Sequence, residues 1–129
     1  MFLPAGSAKL IKVISQSAVS AMCQCVTSCK DISRSTGLTT YATLETTFDD
    51  DPAVTIVATP AEATDREVEK ICLYNASSAT EVFDVKLYGG TNAALVIFSV
   101  SLATTERAIY TPGSGWQCYK ATGALKTSV

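Results

Sequence analysis

Histidine is absent from all 129 residues. Without imidazole there is no Ser-His or Cys-His nucleophile pair, no histidine general base and no zinc set that mixes imidazole with thiolate. Charge is sparse as well: 10 Lys and Arg against 12 Asp and Glu leave a formal net charge of -2. The cations, among them Lys9, Lys12, Lys70, Lys86 and Arg107, are scattered along the chain. Phosphate recognition needs them clustered, so no nucleic-acid partner is expected. Long apolar runs are also missing. The longest, Ala93 to Val100, is interrupted by Ser99 and falls well short of the ~18 residues of a membrane-spanning helix. The reading is therefore a soluble chain with no membrane partner. The start, Met1-Phe2-Leu3-Pro4-Ala5-Gly6, has no cationic segment and too short an apolar stretch for a secretory signal, so export by that route is not expected.

A length of 129 residues with 47% hydrophobic side chains is enough for one packed core without metal or disulfide staples. Threonine and serine alternate with Val, Ile, Leu and Ala in short bursts, the period of two expected for half-buried strands. From Glu81 to Tyr88, residues Phe83, Val85 and Leu87 share one face, while Asp84 and Lys86 share the other. Gly89-Gly90-Thr91-Asn92 then turns the chain. Val96, Phe98, Val100 and Leu102 follow on a common face against Ser99 and Ser101, which predicts a hairpin. Lys9 to Ser15, with Ile11 and Val13 opposite Lys12, predicts a strand that pairs through Gln16 to Ser20 with a second strand, in which Ala21, Cys23 and Cys25 alternate with Met22, Gln24 and Val26. Thr39 to Phe48 places Ala42, Leu44 and Phe48 on one side, and Asp49-Asp50-Asp51-Pro52 ends it. Val54 to Thr59, Lys70 to Asn75, Ile109 to Tyr110 and Trp116 to Tyr119 complete the set, with a turn at Pro112-Gly113-Ser114-Gly115. Thr59-Pro60-Ala61-Glu62 carries helix-start signals, but few large apolar side chains follow before Val68, so a loop or single turn is expected there. The fold class is all-β: an antiparallel β-sandwich or jelly-roll-like barrel of about eight strands, spanning residues 9–120. Residues 1–8 form an N-terminal arm and residues 121–129 a polar tail, expected to be mobile or to dock on a neighbouring chain.

The chemistry-bearing residues are few. Cys23, Cys25 and Cys29 are the metal candidates. Their C-x-C-x3-C spacing lacks paired C-x2-C knuckles, and strand alternation aims Cys23 and Cys25 into the core, so no metal and no other cofactor is expected. Five cysteines, an odd number, without an export signal indicate buried, reduced thiols and a reducing compartment of assembly. Asp49-Asp50-Asp51 lacks the alternation and closing Glu of a calcium loop and reads as a solvated turn. Asn75-Ala76-Ser77 reads as an Asx turn after a strand rather than a glycosylation site. Glu45, Glu81 and Asp84 supply carboxylates that nothing in the sequence pairs. Trp116 and Tyr119, with Tyr74, Tyr88 and Tyr110, are the material for a sugar-binding platform, or for core and interface packing. No catalytic residues are assigned and no enzyme activity is expected.

The order of motifs resembles a type of small β-sandwich protein common among tailed-bacteriophage structural genes. The resemblance is carried by Lys12-Val13-Ile14-Ser15-Gln16-Ser17-Ala18, by Val54-Thr55-Ile56-Val57-Ala58-Thr59-Pro60-Ala61 and by Arg66 to Asn75. It ends in Leu102-Ala103-Thr104-Thr105-Glu106-Arg107 followed by Gly115-Trp116-Gln117. The cysteine-rich second strand departs from the pattern. The resemblance implies a non-enzymatic component of a virion that self-associates, as a trimer or higher cyclic order, and binds capsid, portal, neck or tail proteins. Exposed edge strands suit such assembly, since a neighbour can complete their backbone hydrogen bonds. Met1, Phe2, Leu3, Trp116 and Val129 are the expected interface residues, and removal of residues 1–8 is expected to spare the fold. Two other readings stand beside this one: a carbohydrate- or small-ligand-binding module for host-surface adhesion, built on Trp116, and a redox or metal module built on the cysteines.

Overall fold

The computed structural model describes residues 1–6, 8–89 and 92–126. Ten strands follow one another along the chain: β1 (Phe2–Leu3), β2 (Lys9–Ser15), β3 (Cys23–Ser33), β4 (Thr39–Phe48), β5 (Val54–Val57), β6 (Thr64–Tyr74), β7 (Glu81–Gly89), β8 (Asn92–Leu102), β9 (Arg107–Thr111) and β10 (Gly115–Tyr119). They form two antiparallel sheets. The larger has the order β10-β9-β6-β3-β4, with β1 beside the N-terminal part of β6; the smaller has the order β5-β2-β7-β8. Among the described residues there is no helix. The all-β sandwich expected from alternation is therefore the fold.

The core lies between the sheets and is built from alternate residues. Ile11 and Val13 of β2, Cys23 and Cys25 of β3, and Phe83 and Val85 of β7 are each at most 1% exposed. Phe48 and Phe83 meet across the two sheets edge to face, with centroids 4.9 Å apart. Thr27 also points inward, and its hydroxyl is satisfied by donating to the Ile56 carbonyl at 2.8 Å, which ties β3 to β5. The predicted turn after β9 is present, with Gly113 and Gly115 both at positive φ, where a side chain would be strained.

Several local expectations change. β2 and β3 are not a hairpin: they belong to different sheets. The chain bends away after Ser15, whose hydroxyl donates to the Ser17 carbonyl, while Gln16 N–H bonds to Val82 on β7. The β7–β8 hairpin is present, and its last pair is Gly89 with Asn92; Gly90 and Thr91 lie outside the described residues. A bulge between Val85 and Lys86 sets Val96 opposite Lys86, so Val96 turns outward instead of joining Phe98 and Val100. β6 starts earlier than expected, at Thr64, because Thr64 N–H closes a tight turn on Ala61 and the full length of β3 is there to pair with it. The segment before it is a loop and a single turn, as expected.

The described residues at both chain ends pair with strands of the larger sheet. β1 pairs with β6, Val68 N–H donates to the Met1 carbonyl at 2.8 Å, and Leu3 is 2% exposed within the core. Leu3 is therefore not an exposed residue; a two-residue strand suffices to bury it because β6 has an open flank there. At the other end, Leu125 bridges to Tyr119 and Lys126 N–H donates to the Cys118 carbonyl, so the tail returns onto β10 of its own chain. Val129 lies outside the described residues.

Candidate functional site

The residues singled out from the sequence are not brought together. Cys23, Cys25 and Cys29 all face inward, but at strand rise Cys23 and Cys29 stand about 20 Å apart, so they do not surround one ion. Among the described residues no group of three or more His, Cys, Asp or Glu is placed to hold a metal. Burial pushes the Cys25 thiol up to about 12 and raises those of Cys23, Cys29, Cys72 and Cys118, the opposite of an activated thiolate. All five are free.

Trp116 faces inward from β10. It stacks on Phe98 with centroids 4.1 Å apart and planes 3° from parallel, and Tyr110 lies against it at 5.5 Å. Tyr110 in turn accepts a hydrogen bond from the N-terminal ammonium of Met1. Tyr88 sits under Lys12 on the smaller sheet, and Tyr74 pairs with Arg107 on the larger. The aromatics thus serve three separate places, and the ring faces of Trp116 and Phe98 are used on each other. Of the apolar trio at the N-terminus only Phe2 is largely free, at 55% exposure.

The carboxylates are also separate. Glu45 lies on β4. Glu81 is buried and accepts from Ser77 Oγ at 3.0 Å, whereas Asp84, three residues on and on the opposite face of β7, accepts from Gln16 and Ser99. Asn75 is fully buried and forms the expected Asx turn: its Oδ1 accepts from Ser77 N–H at 2.8 Å, and its Nδ2 donates to the carbonyls of Ala79 and Leu102. Asp49 Oδ1 accepts from Asp51 N–H in the acidic turn.

What the structure leaves open is one side of the sandwich, where β4 ends the larger sheet. The inward-facing rows of β3 and β4 are Cys23–Phe48, Cys25–Thr46, Thr27–Leu44 and Cys29–Ala42; the outward rows include Val26–Glu45, Ser28–Thr43 and Lys30–Tyr41. Only Phe48 of β4 is buried, because the opposite sheet has four strands and stops at β5. Ala42 and Leu44, expected to face a core, line the mouth of a groove of about 220 Å³ whose other wall is Ile56, Val57 and Ala58 and whose floor is Thr27 and Cys29. Arg66 closes one end. Its guanidinium binds Asp31 by two hydrogen bonds and donates a third to the Ala58 carbonyl at 2.8 Å, holding Asp31 below its ordinary carboxylate range.

Four exposed apolar side chains lie along this edge, Leu38, Tyr41 and Leu44 on or beside β4 and Val26 on the adjoining strand; others, such as Leu95 and Val96 on β8, lie away from it. Tyr41 is 75% exposed. Lys30, in the row of Tyr41, is paired with Glu67 at 3.3 Å and Glu69 at 3.7 Å. The sequence carries one signal of this edge: Thr39–Phe48 has five threonines and a single charge, too little apolar mass for a strand covered on both faces. Comparison with known proteins finds no matching family model, no matching curated protein and no matching solved structure.

Proposed function

We propose that this chain is a non-enzymatic structural component of a bacteriophage virion, one that associates with copies of itself and with larger head, neck or tail proteins. The observation that carries the reading is the β4 side of the sandwich, where a ten-residue edge strand is exposed on both faces, with Tyr41 open on one and Leu44 on the other. Monomeric proteins blunt such an edge with Lys, Pro, bulges or cover. Here β4 contains none of the first two, and its ladder with β3 runs without a register shift. The order of strand and turn motifs supports the virion setting. It includes the Leu102 to Glu106 turn, in which Glu106 accepts from Ala103 N–H at 2.8 Å. Thiols raised by burial and carboxylates on separate faces are in keeping with a role in contact rather than in turnover.

The test is to purify the particles whose genome encodes this chain and to look for it among their proteins by mass spectrometry and by electron microscopy of labelled protein. The expected result is a fixed copy number at one symmetric position. A chain absent from washed particles, or encoded among metabolic genes, would overturn the reading.

A further inference from the structure

We infer that β4 pairs antiparallel with β4 of a second copy of this chain, about a two-fold axis that passes through Thr43, so that the two larger sheets become one continuous sheet. The inference rests on the reading that the chain self-associates and specifies the contact, which is two-fold rather than the cyclic ring implied by the resemblance.

The other edges are less suited. Among the described residues, β5 has four residues between Pro52 and Pro60, β10 is bridged by the returning tail at Leu125, and β8 carries two register shifts against β7. Bulges twist an edge away from partners. β4 is long, regular and pairs only with β3.

The choice of a second copy comes from the side chains. A two-fold axis normal to the sheet maps outward residues onto outward residues, so the available registers step by two. Centring on Glu45 sets two carboxylates face to face, which is repulsive. Centring on Leu44 sets Thr40 against Phe48, the buried end of the strand. Centring on Thr43 leaves no like charges opposed. On the outward face Thr39 meets Thr47, Thr43 meets itself, and Glu45 meets Tyr41 of the second copy, whose Lys30 stands in the next strand of the same row. On the inward face Thr40 meets Thr46, and Ala42 meets Leu44. Thr–Thr pairs of this kind stabilise a ladder, and the lone acidic side chain of β4 approaches the one cation bordering it on β3. The Ala42–Leu44 contacts also carry the open groove across the axis into its copy, covering Leu44, which is 46% exposed in the single chain. An interface of this type closes on itself and leaves no further β4 edge for fibre growth.

The discriminating substitution is at the axis. Thr43 is exposed, so Thr43→Lys and Thr43→Glu should each fold with unchanged circular dichroism, yet each opposes two like charges in the pair. Sedimentation velocity over a concentration series is expected to show a dimer for the unaltered chain and at least about tenfold weaker association for either variant alone. An equimolar mixture of the two variants is expected to restore the pair, a result that a destabilised fold would not produce. An unaltered chain that stays monomeric throughout would overturn the inference, and so would a mixture that fails to associate. So would a Thr43→Lys chain that associates as well as the unaltered one; that outcome leaves self-association standing through another surface. Presence in the particle is decided separately by the experiment above.

Discussion

Arg66 and Asp31, cross-strand partners on β6 and β3, are joined fork to fork: Nε donates to Oδ1 at 2.7 Å and Nη2 to Oδ2 at 2.8 Å. Each side chain is 19% exposed. They stand at the end of the groove beneath β4, and the third bond of Arg66, to Ala58, ties β6 to the chain just beyond β5. Both sheets are therefore held at the open side by one guanidinium.

Arg66→Met should leave the Asp31 carboxylate and the Ala58 carbonyl without their donor. The expected cost is roughly 1–3 kcal/mol, read as a lower urea midpoint at unchanged slope. Arg66→Lys should recover only part of it, since an ammonium cannot supply the two parallel bonds and the third at once.

Acid should weaken the fold through three carboxylates held below their ordinary range: Asp31 by its hydrogen bonds from Arg66, Asp65 by Arg34 and then Ala5 N–H, and Glu106 by Lys126 and then Ala103 N–H. Their folded-state values lie below the unfolded ones. The stabilisation is thus complete above about pH 5 and is lost as pH falls through the folded values. With no histidine in the chain, urea midpoints should be flat from about pH 5 to 7 and decline below that range toward about pH 2; above it they should also fall, because the buried thiols stay protonated while those of the unfolded chain ionise. Lys126→Met should flatten part of the acid slope, because the Glu106 value then returns toward its unfolded one.

Asn75→Ala should be among the most damaging single changes. It strips a donor from two carbonyls and an acceptor from Ser77 N–H, all at a fully buried position, and a loss of roughly 3 kcal/mol or more is expected. Asn75→Asp should fail to rescue, since a carboxylate would face the Ala79 and Leu102 carbonyls without a proton to give. Equilibrium unfolding of the two variants side by side checks both statements.

Leu3→Ala is expected to cost about 2–4 kcal/mol as a core truncation, whereas Phe2→Ala should stay within about 0.5 kcal/mol, because Phe2 projects outward. Made in the Thr43→Lys background, the pair separates stability of the single chain from assembly. Equal effects at the two positions would contradict the burial of β1.

Alternation was legible wherever a strand has one wet face and one covered face. Ile11 and Val13, Phe83 and Val85, and Cys23 and Cys25 could be assigned inward from period alone, and Asn75 could be assigned to its Asx turn because side-chain capping is a local event. The errors cluster where a residue's environment is made by a distant segment. Ala42 and Leu44 share the side of Phe48, yet only Phe48 has β7 opposite it. For Trp116 the sequence left an exposed platform and core packing both open, and it is Phe98, eighteen positions earlier, that takes its ring face. Leu3 had the appearance of a free arm because its partner, the N-terminal half of β6, was not expected to be a strand.

Composition and spacing by themselves determined that the chain builds antiparallel strands around one core and has no imidazole chemistry, because those properties depend only on residue types and on their distance along the chain. The pairing of β2 with β5 and β7 instead of β3, the bulge that turns Val96 outward, and the exposure of β4 were decided by tertiary structure. Hydrophobic period states which face of a strand seeks cover; whether cover arrives depends on how many strands the opposing sheet contains and where it ends, and that is a property of the assembled sandwich.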